Sequence, residues 1–102
     1  MAGNPVYVGV LLVTLETPGV HSLKEKRALI LPITERLKAR FPVSVARLDG
    51  LNAHAWERIG VSAISADPGW VERVLGSALA FVEGRGLSVR ASTIEVDVWD
   101  VD

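Results

Sequence analysis

The stretch "VYVGVLLVTLETPGVHSLKEKR", residues 6 to 27, decides which fold the chain can adopt. Val6 to Leu15 is rich in β-branched side chains and apolar in both alternating phases, which predicts a strand covered on both faces. Thr17-Pro18-Gly19 then signals a turn. Ser22 and Glu25 have the S-x-x-E spacing in which each residue satisfies an otherwise unpaired amide at a helix start, so a helix is expected from Leu23. Strand, turn and helix together make the first half of a βαβ unit.

Working outward, Leu23, Ile30, Ile33, Leu37 and Phe41 recur at helical spacing and predict one apolar face for packing on a sheet. Pro32 falls on the opposite side of that wheel. It removes a backbone donor and crowds the carbonyl of Ala28, at a cost of roughly 3 kcal/mol unless the helix bends, so a kink is expected near residues 28 to 32. After Phe41-Pro42, "VSVARLD" and "ERIGVSAIS" flank a loop at Gly50 to Ala55 and read as two antiparallel strands. Asp67-Pro68 supplies an N-cap and a first-turn proline for a second helix through about Val82, which Gly84 and Gly86 stop. Leu87 to Trp99 reads as a final strand, acidic at Glu95 and Asp97, with a bulge expected near Ala91 to Thr93. The order β-α-β-β-α-β with right-handed crossovers predicts an α+β, ferredoxin-like fold: a four-stranded antiparallel sheet with both helices on one face.

Composition narrows the class further. At 102 residues the chain fits one domain, residues 1-102, with one hydrophobic core. An apolar content of 49% excludes a disordered tail. No apolar run approaches the ~20 residues that span a bilayer, and residues 1 to 5 lack a basic segment of the signal-peptide kind. A soluble, cytoplasmic protein with no membrane partner is therefore expected. Without cysteine there is no disulfide, thiol nucleophile or thiolate metal site. The absence of glutamine and the excess of eight arginines over three lysines fit a thermophile, although a GC-rich genome would give a similar bias. The net charge of −1 argues against a uniformly basic nucleic-acid binder, but it hides an asymmetry. Lys24 to Arg40 carries six bases against Glu25 and Glu35, whereas the last eight residues hold Glu95, Asp97, Asp100 and Asp102.

"PGVHSLKEKR" at residues 18 to 27, "FPVSVA" at 41 to 46 and "WERIGVSAIS" at 56 to 65 resemble the YlxP-like family of small bacterial proteins of unknown function. The likeness runs over nearly the whole chain and is most specific at HSLKEKR. It implies a cytoplasmic ferredoxin-like domain with no assigned activity. The family's genes often neighbour those of translation and ribosome-maturation factors, which implies an RNA-related setting. Pro32 and the loop "DGLNAHAWE" depart from the family pattern.

The chemically odd feature is the motif itself. Lys24, Lys26 and Arg27 crowd a helix start, where the backbone dipole disfavours cations, and no acid stands four residues downstream of them. Three readings are open: lysines that simply stay solvated, pairing with an acidic surface of a second subunit, or a site for phosphate or a nucleic-acid backbone. The anion or RNA site would comprise His21, Ser22, Lys24, Lys26 and Arg27. Base stacking on the sheet is not expected, because Arg58 to Ile64 carries no ring where an RNA recognition motif needs two or three. The sheet's uncovered residues instead point to a homodimer, with Trp56 and Trp99 at its rim or at core edges. His21 and His54 lack metal-ligand spacing, Ser22 is explained by capping, and no phosphate loop precedes a helix. No cofactor, metal or catalytic residue is assigned. The expectation is a non-enzymatic accessory factor that binds RNA or a ribonucleoprotein, with a small-molecule anion-binding regulatory module or a protein-interaction scaffold as alternatives.

Overall fold

A computed structural model describes residues 3–100. The elements come in the expected order: β1 (Val6–Glu16), α1 (Leu23–Arg40), β2 (Ser44–Asp49), β3 (Trp56–Ser65), α2 (Pro68–Glu83) and β4 (Ser88–Trp99). The strands form one antiparallel sheet in the order β2-β3-β1-β4, so each helix carries the chain over one intervening strand. This is the ferredoxin-like α+β arrangement.

Capping sets where the helices begin. The Ser22 hydroxyl accepts from the Glu25 amide at 3.0 Å, and the Glu25 carboxylate reaches back to the His21 amide at 3.2 Å. Asp67 caps α2 by accepting from the amides of Gly69 and Trp70, with Pro68 in the first turn. Helix α1 is helical from Leu23 to Arg40, and Pro32 lies within it on the exposed side.

Strand alternation then sorts the residues into two faces. On the helix side, Leu11, Val13 and Leu15 of β1 stand beside Ile59 and Val61 of β3. Ile30, Ile33 and Leu37 of α1 and Val71, Leu75 and Val82 of α2 close over them. Each such side chain contributes roughly 1.5–3 kcal/mol by leaving water. Gly9 lets α2 approach the sheet backbone, since a Cβ there would overlap Val71 and Leu75.

Two expectations need correction. The bulge in β4 falls at Arg90, between the Leu15–Val89 and Thr14–Ala91 pairs, just before the stretch where it was expected. The both-sided cover expected of β1 is also missing: the helices lie on one face, and Val10 on the other is exposed. Among the described residues no helix is long and apolar enough to cross a membrane.

Candidate functional site

The helix start that carries the motif packs against the loop between β2 and β3. Thr17, at the end of β1, ties the two together: its amide donates to the Ala55 carbonyl at 2.8 Å and its hydroxyl to the His54 carbonyl at 2.6 Å. The loop turns at Gly50, whose φ of 72° is a backbone conformation that favours glycine.

Lys26 enters this junction. Its side chain is fully buried, and the ammonium donates to the carbonyls of Gly50 (2.6 Å), Ala53 (2.5 Å) and Trp56 (3.2 Å). It also lies 3.2 Å from Glu57 Oε1. Glu57, equally buried, takes a two-pronged bond from Arg47, with Nε at 2.5 Å from Oε2 and Nη2 at 2.7 Å from Oε1. The trio carries one surplus positive charge, which the carbonyls of Gly50 and Ala53 in the loop and of Trp56 at the start of β3 offset with their dipoles. Burial alone would raise the Glu57 pKa, but the hydrogen bonds from Arg47 and then Lys26 outweigh it and hold the carboxyl below its ordinary value. Donating that same bond to Glu57 raises the Arg47 pKa. Among the described residues no buried side-chain nitrogen or oxygen lacks a partner.

Membership of the proposed anion site changes accordingly. Lys26 is withdrawn from solvent and its donors are spent inside the chain, so it is not available to an external phosphate. The Ser22 hydroxyl is occupied as the cap. His21, Lys24 and Arg27 remain exposed, and none of their side chains forms an ion pair among the described residues. Lys24 and Arg27 are three apart and share the outer surface of α1, whereas Lys26 points the other way. The spacing already held a signal for this. Lys26 lies on the same stripe as Ile30, Ile33 and Leu37, and Glu57 alternates in phase with Ile59 and Val61.

A second group of cations surrounds Phe81, with Arg40 at 5.3 Å and Arg85 at 4.4 Å from the ring centroid. Arg40 ends α1 and Arg85 follows α2, so the helix-end carbonyl dipoles account for both.

The open face of the sheet is the other unusual surface. It presents Val10 (39% exposed), Leu48 (51%), Ile64 (64%) and Trp99 (63%). Gly60 gives it a shallow apolar hollow of about 240 Å³, with Leu48 lying where a Cβ at residue 60 would be. Trp56 heads β3 on this face, flanked by Arg58 at 6.0 Å and Arg90 at 5.5 Å from its ring. Trp56 pairs with Glu16 and Trp99 with Val6, ten residues apart along β1 and so ~33 Å distant. The two rings cannot serve one short run of bases.

The order of the elements and the uncovered sheet define a small ferredoxin-like domain without a recognisable catalytic constellation among the described residues. The chain belongs to the family described as "Protein of unknown function (DUF503)", whose model matches residues 8–97. No protein of curated function matches the chain. Among solved structures, a de novo designed protein, Foldit4, is similar at 20% identity and a TM-score of 0.44, covering 93% of this chain and 96% of its own.

Proposed function

We propose that the chain is a non-enzymatic interaction module that works through the open face of its sheet, and that a second copy of the chain is the partner covering it. The observation behind this reading is the group of exposed apolar side chains that share the open face, Val10, Leu48, Ile64 and Trp99, whereas Leu29, Leu31, Leu51, Ile94 and Val98 are divided between α1, the loop after β2 and the other side of β4. Large contiguous apolar patches on a folded domain commonly mark interaction surfaces, and twofold dimers are the most frequent assembly. Four strands about 4.8 Å apart and ten rows of about 3.4 Å give on the order of 600 Å² of plane per copy, and more of accessible surface, close to the ~800 Å² per partner of a standard interface. Sedimentation equilibrium of the wild type and of a Val10→Asp, Ile64→Asp variant tests the reading. Dimerisation that the two carboxylates abolish in a folded variant is the expected result, and a wild type that stays monomeric counts against it.

A second reading assigns RNA contact to the outer surface of α1, where exposed Lys24 and Arg27 lack acidic partners and His21 stands nearby. The resemblance to YlxP-like proteins supports that setting by association. Such contact would be to phosphate and would weaken steeply with salt. Fluorescence polarisation of structured RNA at two salt concentrations, with Lys24→Glu and Arg27→Glu as the control variant, decides it. A phosphorylated metabolite that raises thermal stability where RNA does nothing would instead favour a small anion-sensing module.

A further inference from the structure

Resting on the reading of the open face as a self-association surface, we infer that the two copies meet across a twofold axis lying in the interface and running across the strands. The end of each open face that carries Arg58 and Arg90 then covers the Glu95 and Asp97 end of the other.

The sheet register places the charges. At one end of the open face, Arg58 stands opposite Thr14, and Thr14 opposite Ala91. The bulge at Arg90 swings that guanidinium over Trp56, at the same end, which Glu16, opposite Trp56, and Asp49, beside Arg58, also share. Towards the other end, Glu95 pairs with Val10 and Asp97 with Val8, on the same face. Thr14 is four residues from Val10 and six from Val8, so Glu95 and Asp97 stand ~13 and ~20 Å along the sheet from Arg58. Between them lie Leu12, Gly60 and Leu48, all uncharged.

Such a face is its own complement in one orientation. An axis across the strands reverses the strand direction of the second copy and keeps each strand over its counterpart. Arg90 on β4 then comes over the Glu95 and Asp97 end of the partner's β4, twice by symmetry, with Leu12 and Val10 near the axis. An axis along the strands would instead lay each β4 over the partner's β2, which sets Glu95 opposite the Ser44 end and leaves Glu95 and Asp97 without an arginine. Aligned sheets pack about 10 Å apart at about −30°, which leaves room for the long arginines to pair at the ends. A nucleic acid suits the face less well, because Glu95 and Asp97 would repel its phosphates. The Arg58–Asp49 contact, 3.7 Å between exposed side chains, is loose enough to be shared.

Charge reversal tests the orientation separately from dimerisation itself. Variant one is Arg58→Glu with Arg90→Glu; variant two is Glu95→Lys with Asp97→Lys. All four side chains lie on the sheet surface, and circular dichroism checks that both variants fold. In sedimentation equilibrium each variant alone should dimerise at least roughly tenfold more weakly than the wild type, and an equal mixture should recover a heterodimer. Wild-type dimerisation should also weaken as salt rises, a measurement that needs no variant. A dimer that survives both reversals, or that tightens with salt, overturns the orientation and leaves the dimer standing. A wild type that never dimerises overturns the self-association reading and this inference with it.

Discussion

The two faces of the sheet invert the usual distribution of residues. The helix side buries a lysine, a glutamate and most of an arginine, while the open side leaves valine, leucine, isoleucine and tryptophan in water. The difference lies in where the partners are. Lys26, Glu57 and Arg47 find every partner within the chain, in one another and in the carbonyls of Gly50, Ala53 and Trp56. The apolar residues of the open face stay exposed. Fold stability explains the first face, and cover for the second is what the proposed partner copy would supply.

Removing one member of the buried trio should break the comparison most severely. Lys26→Ala leaves Glu57 short of a partner and three backbone carbonyls without their donor, and should lower unfolding free energy by about 3–5 kcal/mol in urea titration. Lys26→Met combined with Glu57→Leu should recover much of that loss, because Arg47 is partly exposed and can turn its guanidinium to water. A double variant no better than the single one would mean that the loop, rather than the charges, governs the junction.

Gly9→Ala probes the same face through packing alone. Its added methyl meets Val71 and Leu75, so α2 must lift or distort, at about 1–3 kcal/mol by thermal or urea unfolding.

Acidification gives a smaller, signed effect. The folded Glu57 carboxyl lies below its ordinary value of 4.5, so its stabilising contribution is present above that value and disappears as pH falls through the lowered one. Urea midpoints measured down the acid limb should fall for the wild type and run flatter for Glu57→Gln. An acid limb of equal slope in both would remove Glu57 from the account.

The least effect on stability is expected for Lys24→Ala and Arg27→Ala, within about 0.5 kcal/mol, since both side chains are exposed and have no acidic partner among the described residues. Set beside Lys26→Ala, they show how differently neighbouring cations of one motif are used.

Much of the fold was legible because local signals agreed with one another: the Ser22 and Glu25 cap, the Asp67-Pro68 start and the order of alternating and helical patterns all point to one topology. The destination of Lys26 was harder to read. Its acceptors are mainly backbone carbonyls of a loop, which no side-chain pattern marks, although its place on the Ile30, Ile33 and Leu37 stripe was visible. Reading its charge as surface charge outweighed that spacing. On β1 the apolar residues of both phases were visible too, and they implied cover on both sides. What supplies the second cover is not written in the chain's own elements, because both helices are used on the first face.

Small-angle X-ray scattering of the wild type over a concentration series tests the central claim most directly. The account predicts that forward scattering rises to a mass of about 22 kDa, twice the 11.0 kDa of the chain, as the open faces meet. A mass that stays at 11.0 kDa up to the highest soluble concentration would contradict it.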